Sequence, residues 1–372
     1  MKSLCTLVAA SLSATLLAAC GGNSPPSLTP ISLGLNRSGT VGLSSRTTTG
    51  PNLYVANAEG HTVTVYASGT SSVLRTISQD IYAPVALAFD SSGNLYVSDD
   101  GYNNVKVYAA GTTSLIETIS QGVSGPGELA FDSAGNLYVA NDAQASQGGQ
   151  TVTVYAPGST AVLRTISQGL SGPGALAFDR AGNLYVANYG PYNGQSTVAV
   201  YGPERKKVLR TISQGVKKDF PLAFDSSGYL YVANCVNCPY GGTVTLYGPG
   251  GKHVLRTISE GVHQPGVLAF DSSGNLYVAN HYSPKSHNGK GCTVTAYAPG
   301  STSVLETISE GVHNPDALAF DGSGNLYVAN WNGACGGSSR YGTVTVYAPG
   351  STSVLLTISQ GISTPAALAF GP

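Results

Sequence analysis

From residue 51 onward, apolar and polar positions alternate with period two in short runs, and Gly, Pro, Asp and Ser punctuate them. Around the middle of the chain the pattern predicts four strands: Ala175 to Phe178, Asn183 to Ala187, Thr197 to Tyr201 and Val208 to Ser213, with Asp179 to Gly182 as the first turn. No segment carries the i, i+3, i+4 spacing of a helix. The unit recurs. Copies of x-N-L-Y-V-A-N begin at Asn52, Asn94, Asn136, Asn183, Tyr229, Asn275 and Asn325, and each is followed by a strand ending in Tyr66, Tyr108, Tyr155, Tyr201, Tyr247, Tyr297 or Tyr347. From each such Tyr to the start of the next copy the interval is 28 residues throughout, so all length variation lies between YVAN and TVTVY.

A four-stranded unit repeated at this period predicts an all-β, seven-bladed β-propeller. The first copy lacks an ALAF strand ahead of Asn52, and the chain finishes on Ala366-Ala367-Leu368-Ala369-Phe370. The C-terminal strand is therefore expected to complete the N-terminal blade from the inside, which removes an open sheet edge.

The run PGALAFDRAGNLYVAN, Pro173 to Asn188, resembles NHL repeats and the related YVTN-type repeats of bacterial surface propellers, and the resemblance covers nearly all of residues 51–372. It implies the propeller fold and leaves function open, because such propellers include binding scaffolds, lactonases and lyases.

Residues that recur in every copy serve the blade, since a reaction needs an asymmetric site. Asp90, Asp132, Asp179, Asp225, Asp271 and Asp321 fit an Asx-type turn between the first and second strands. Asn57, Asp99, Asn141, Asn188, Asn234, Asn280 and Asn330, closing the second strand, form a ring expected to cap the loop backbone that follows. Strand direction places the variable loops and the SQGVSGP-type links on one face, called the top, where binding on a rigid scaffold is expected.

The N-terminus has a different character. Lys2 precedes an apolar run too short to span a bilayer, ending Leu17-Ala18-Ala19-Cys20. This ending resembles the lipobox of bacterial lipoproteins, which implies an export signal over 1–19, lipidation of Cys20 and anchoring to the cell envelope, with Gly21 pointing to the outer membrane. Residues 20–50 are rich in Ser, Thr, Gly and Pro and read as a flexible tether reaching roughly 30 Å. The propeller takes 51–372. Charged residues make up 10% of the chain and the net charge is −1, so no electrostatic footprint for nucleic acid is present, and a monomer is expected.

Cys235, Cys238, Cys292 and Cys335 remain for an oxidising compartment, with three pairings open. Pairing 235 with 238 and 292 with 335 is favoured, because the first two form a C-x-x-C and the second two lie in loops of adjacent blades. Tyr189, Tyr192, Tyr282, Trp331 and Tyr341 suit an aromatic platform for a protein, peptide or glycan. His263 and His313 occupy the same place in successive links and His281 follows YVAN between them, so a trio of imidazoles for zinc is the competing expectation, with calcium also to be tested. In the inner strands Glu128 and Asp316 read as isolated carboxylates. A lipid-anchored binding or scaffold module is the favoured reading. A metal-dependent lyase or hydrolase is the alternative, and amidating-lyase propellers of the NHL group, which use histidine-bound zinc, imply only that trio.

Overall fold

The computed structural model describes residues 50–143, 150–190, 196–217, 221–235, 241–281, 292–331 and 342–372. Within them, 28 strands form seven four-stranded antiparallel sheets and no helix. Blade four runs outward from Pro173–Phe178 through Leu184–Asn188 and Thr197–Tyr201 to Val208–Ile212. The others repeat it. Blade one takes its inner strand, Pro365–Gly371, from the C-terminus and pairs it with Asn52–Asn57, matching Leu53 to Phe370 and Val55 to Leu368. The ring is thereby closed as the repeat phase requires.

Each blade buries both faces of its middle strands against its neighbours. The second-strand tyrosines (Tyr54, Tyr96, Tyr138, Tyr185, Tyr231, Tyr277, Tyr327) meet the inner-strand phenylalanine of the next blade edge-on, with centroids 4.9–5.1 Å apart. Tyr327 to Phe370 carries the same contact across the closure. The third-strand tyrosines are fully buried, and each hydroxyl donates to a carbonyl in the link that enters its own blade, as Tyr201 does to Gln168 at 2.6 Å and Tyr66 does to Gln360 across the closure. Buried aromatic contacts of this kind contribute beyond their area. Stability therefore lies between blades, since a lone blade would leave both faces wet.

The first turn is an Asx turn in the six blades that carry its Asp. Asp90 Oδ1 accepts from Ser92 and Asn94 N–H, and the pattern repeats at Asp132, Asp179, Asp225, Asp271 and Asp321. The Asn ring is structural too, but it caps different backbone from that expected. Asn188 Oδ1 accepts from Ser171 N–H at 3.2 Å, and its Nδ2 donates to the Gly169 carbonyl and to Thr197 Oγ1. Asn57, Asn141, Asn234, Asn280 and Asn330 likewise hold the N–H of Ser363, Ser124, Lys217, His263 and His313. Each Asn thus ties down the link entering its own blade. The following loop is not its main partner, because the antiparallel second strand ends beside the point where the inner strand starts.

Candidate functional site at the top of the channel

Beyond each ring Asn lies a residue whose backbone is fixed in the same way around the propeller. The N–H groups of Ala58, Asp100, Asp142, Tyr189, His281 and Trp331 donate to the carbonyls of Thr364, Ala83, Gly125, Gly172, Gln264 and Asn314, each the residue just before an inner-strand proline. Cys235 holds the corresponding place in blade five. The register sets these seven residues round the top mouth of the central channel, where the inner strands begin. Their side chains are chemically unlike: one small, two acidic, two aromatic, one sulfur and one imidazole.

Close approach of backbone and side chain marks this position. A Cβ on Gly266 would lie 2.2 Å from His281 Nε2, and a Cβ on Gly174 would lie 2.4 Å from the Tyr189 ring. The side chains of Tyr189 and His281 therefore lie over the second residue of the inner strand. Small residues there make the space.

His281 reaches from blade six to blade seven. Its Nε2 lies 2.9 Å from the Pro315 carbonyl oxygen and 3.4 Å from Asp316 Oδ1. A carbonyl only accepts, so Nε2 carries the proton and donates. Asp316 Oδ1 is buried, and among the described residues no group donates a hydrogen bond to it. Burial lowers His281 from 6.5 to about 4, against the raising effect of the Pro315 carbonyl, and burial raises Asp316 from 3.8 to about 7. The pair is a neutral imidazole beside a carboxyl that holds its proton near neutrality. Asp316 is thus not the isolated carboxylate expected from its strand.

Glu128, the other inner-strand carboxylate, accepts from the Leu176 N–H of blade four at 2.8 Å and ties two blades together. On the far side of the mouth, burial and the neighbouring Asp100 charge push Asp142 up to about 6, while burial and then Asp99 raise Asp100. The mouth has an acidic side over blades two and three. Its imidazole and indole lie over blades six and seven.

The expected site residues fall in three groups. Tyr189 and Trp331 are half-buried at the mouth. His263 and His313 sit one position earlier in the links, with backbones held by Asn280 and Asn330, and His313 is exposed. Among the described residues no three His, Cys, Asp or Glu side chains gather to hold a metal, so the histidine trio is not brought together and His281 instead faces Asp316. Cys235 and Cys292 are each disulfide-bonded, and the Cys292 sulfur lies 2.9 Å from the His281 carbonyl oxygen. Cys20, Tyr192, Cys238, Tyr282, Cys335 and Tyr341 lie outside the described residues, as do the export signal and the tether.

Two features escaped the sequence reading, the His281–Asp316 pair and the exposed rings of Tyr82 and Tyr102. Both break the repeat. Asp316 is the one charged residue following an inner-strand proline, and Tyr82 stands where other blades have Ser, Lys or His.

No protein-family model matches the chain, and no curated protein matches it. Among solved structures it is similar to Kuenenia stuttgartiensis Hydrazine Synthase at 17% identity and TM-score 0.64, covering 83% of this chain and 99% of that one. It is also similar to a functionally unknown protein from Desulfotomaculum acetoxidans DSM 771 at 14% identity and TM-score 0.67, covering 86% and 99%. At these identities the likeness shows the propeller fold alone.

Proposed function

We propose that this chain is a binding module that holds its ligand at the top mouth of the propeller. The observation that carries this reading is the contrast between two adjacent positions. Six of the seven ring positions are Asn and the seventh is Asp, all buried, while the next residue has the same backbone bond in six blades and a different side chain in nearly every blade. A purely structural position would repeat its chemistry as the Asn does. Asp316 Oδ1, buried and without a donor among the described residues, is the natural acceptor for an N–H or O–H of the ligand, because burying it unpaired costs about 1–3 kcal/mol. Trp331 and Tyr189 supply apolar faces elsewhere round the same mouth.

In this reading the repeats are of NHL or YVTN type, Cys20 carries lipid, and residues 20–50 tether the propeller to the outer membrane, facing an extracytoplasmic protein, peptide or glycan. Disulfides 235–238 and 292–335 then brace the loops over blades five to seven. The competing reading, a metal-dependent lyase or hydrolase on His263, His281 and His313, has less support, since His281 spends its Nε2 proton on Pro315 and faces a carboxyl.

The test uses Trp331, the single Trp of the chain, as the reporter. Detergent-solubilised full chain is titrated with chitohexaose, with a muropeptide and with a pool of neutral hexapeptides. A saturable change in Trp emission that weakens in Asp316→Asn is expected. Turnover of a probe that stops on adding a chelator would instead establish the enzyme.

A further inference from the structure

Blade two departs from the repeat at three places that converge in space. Its link carries Tyr82 where the other blades have Ser124, Ser171, Lys217, His263, His313 and Ser363. Its second strand closes on Asp99 in place of Asn, and its four-residue loop reads Asp100-Gly101-Tyr102-Asn103. The three departures act together. Asp99 accepts from the N–H groups of Tyr82, Ala83 and Tyr102 at 2.8, 3.0 and 3.1 Å, a load for two carboxylate oxygens that the single oxygen of Asn could not carry. A Cβ on Gly101 would come within 2.1 Å of the Tyr82 ring, so only glycine lets the ring lie there.

What this seats is left in water. Tyr82 and Tyr102 are 51% and 53% exposed. The His61 ring of blade one stacks on Tyr82 at 4.5 Å and 6°, and Tyr82 meets Tyr102 at 5.6 Å, giving three contiguous rings on the top face. A ring stack built for the fold would be buried.

The charge around it is one-sided. Each ring has a carboxylate two residues upstream: Glu59 before His61, Asp80 before Tyr82, Asp100 before Tyr102. Lys106, whose Nζ lies 5.7 Å from the Tyr102 ring centroid, is the one cation the described contacts place against these rings. It also shows the geometry by which a tyrosine here takes a cation.

We propose that the top of blades one and two is a docking surface for a basic peptide segment, whose Arg or Lys side chains lie on Tyr82 and Tyr102 between Glu59, Asp80 and Asp100. Aromatic faces alone would suit a neutral sugar equally. Three exposed acidic residues, each two positions before a ring in the chain, favour a cation, which gains from ring and carboxylate together. The proposal rests on the reading of the top face as a binding surface and names a partner for a part of it away from Asp316.

The experiment measures binding of fluorescein-labelled hexa-arginine to detergent-solubilised full chain by anisotropy, with labelled hexa-serine and chitohexaose as comparators. Tyr82→Ser places there the residue that blades three and four carry, and Tyr82→Phe keeps the ring. Hexa-arginine should bind in preference to both comparators and weaken with salt; it should lose roughly tenfold in affinity in Tyr82→Ser and keep it in Tyr82→Phe. Asp80→Asn combined with Asp100→Asn should weaken it further. Equal affinity for hexa-arginine and hexa-serine, or binding of chitohexaose alone, overturns the basic partner. Loss in Asp316→Asn with none in Tyr82→Ser moves the peptide to the channel mouth, which overturns this surface and leaves the mouth reading intact.

Discussion

Replacing Asp316 by Asn tests whether the carboxyl beside His281 is as buried as the structure shows. In the unfolded chain the Asp loses its proton near 3.8 and the His near 6.5; in the folded protein burial moves these to about 7 and about 4. Between pH 4 and 6.5 the folded state holds a proton on Asp316 that the unfolded state has released, so this group makes stability fall as pH rises. Over the same window the unfolded state holds a proton on His281 that the folded state lacks, so the imidazole makes stability rise. Each slope is about 1.4 kcal/mol per pH unit, and in wild type they cancel. From 6.5 to about 7 only the Asp316 contribution remains, and stability falls slightly before levelling.

In Asp316→Asn the His281 slope stands alone, and stability should climb by about 3 kcal/mol from pH 4 to 6.5. The variant-minus-wild-type difference should open by about 4 kcal/mol between pH 4 and 8, since a shift from 3.8 to about 7 is worth about 1.4 kcal/mol per pH unit. Every other titrating group is common to both proteins and drops out of that difference. Urea unfolding followed by tyrosine and tryptophan emission at five pH values gives the two curves. A difference that stays constant with pH would refute the reasoning, because it would mean that Asp316 ionises as a solvated carboxylate.

Three further outcomes are expected. Deleting residues 365–372 removes the inner strand of blade one, the Tyr327–Phe370 contact and the Pro372 carbonyl that accepts from the Tyr54 hydroxyl, so size-exclusion chromatography should show oligomers and calorimetry no cooperative transition; a monomer melting like wild type would contradict the closure. Gly266→Ala should displace the His281 ring and its bond to Pro315, costing about 2–3 kcal/mol and weakening the pH signature above. Gly322→Ala, where an added Cβ meets nothing within 4 Å, should stay within about 0.5 kcal/mol of wild type in the same urea assay.

The blade count and the closing strand were legible because the repeat is long, regular and out of phase at its two ends. The Asp turns were legible because an Asx turn is a local device, complete within five residues such as Asp90 to Asn94. The direction in which the Asn ring caps was not, since the partner of Asn188 is Ser171, on the far side of a strand pairing that the pattern does not display. The segments of variable length between YVAN and TVTVY drew the functional reading to Tyr189, Tyr192, Tyr282, Trp331 and Tyr341. The exposed tyrosines Tyr82 and Tyr102 instead stand over blade two, where the loop has minimal length. Tyr82 carries no length signal, and only its mismatch with Ser124 and Ser171 could have pointed to it. His281 and Asp316 are likewise visible only as mismatches at two repeat positions that the ring brings side by side.

The same arrangement explains why chemical variety gathers where it does. A ring Asn fixes the link, the next N–H fixes the start of the inner strand, and the two together complete the backbone hydrogen bonding of the corner. The side chain after the Asn is then not needed for those backbone bonds, so its chemistry can differ from blade to blade where a small residue such as Gly266 leaves space for it. Because the ring is closed, residues contributed by seven separate segments are held by the blades, which would lower the entropic cost of capturing the ligand proposed for the mouth. A carboxyl such as Asp316, kept buried and without a donor among the described residues, is tolerable in this frame because closure and the seven aromatic contacts hold the site in place, where a less constrained structure would relax around it.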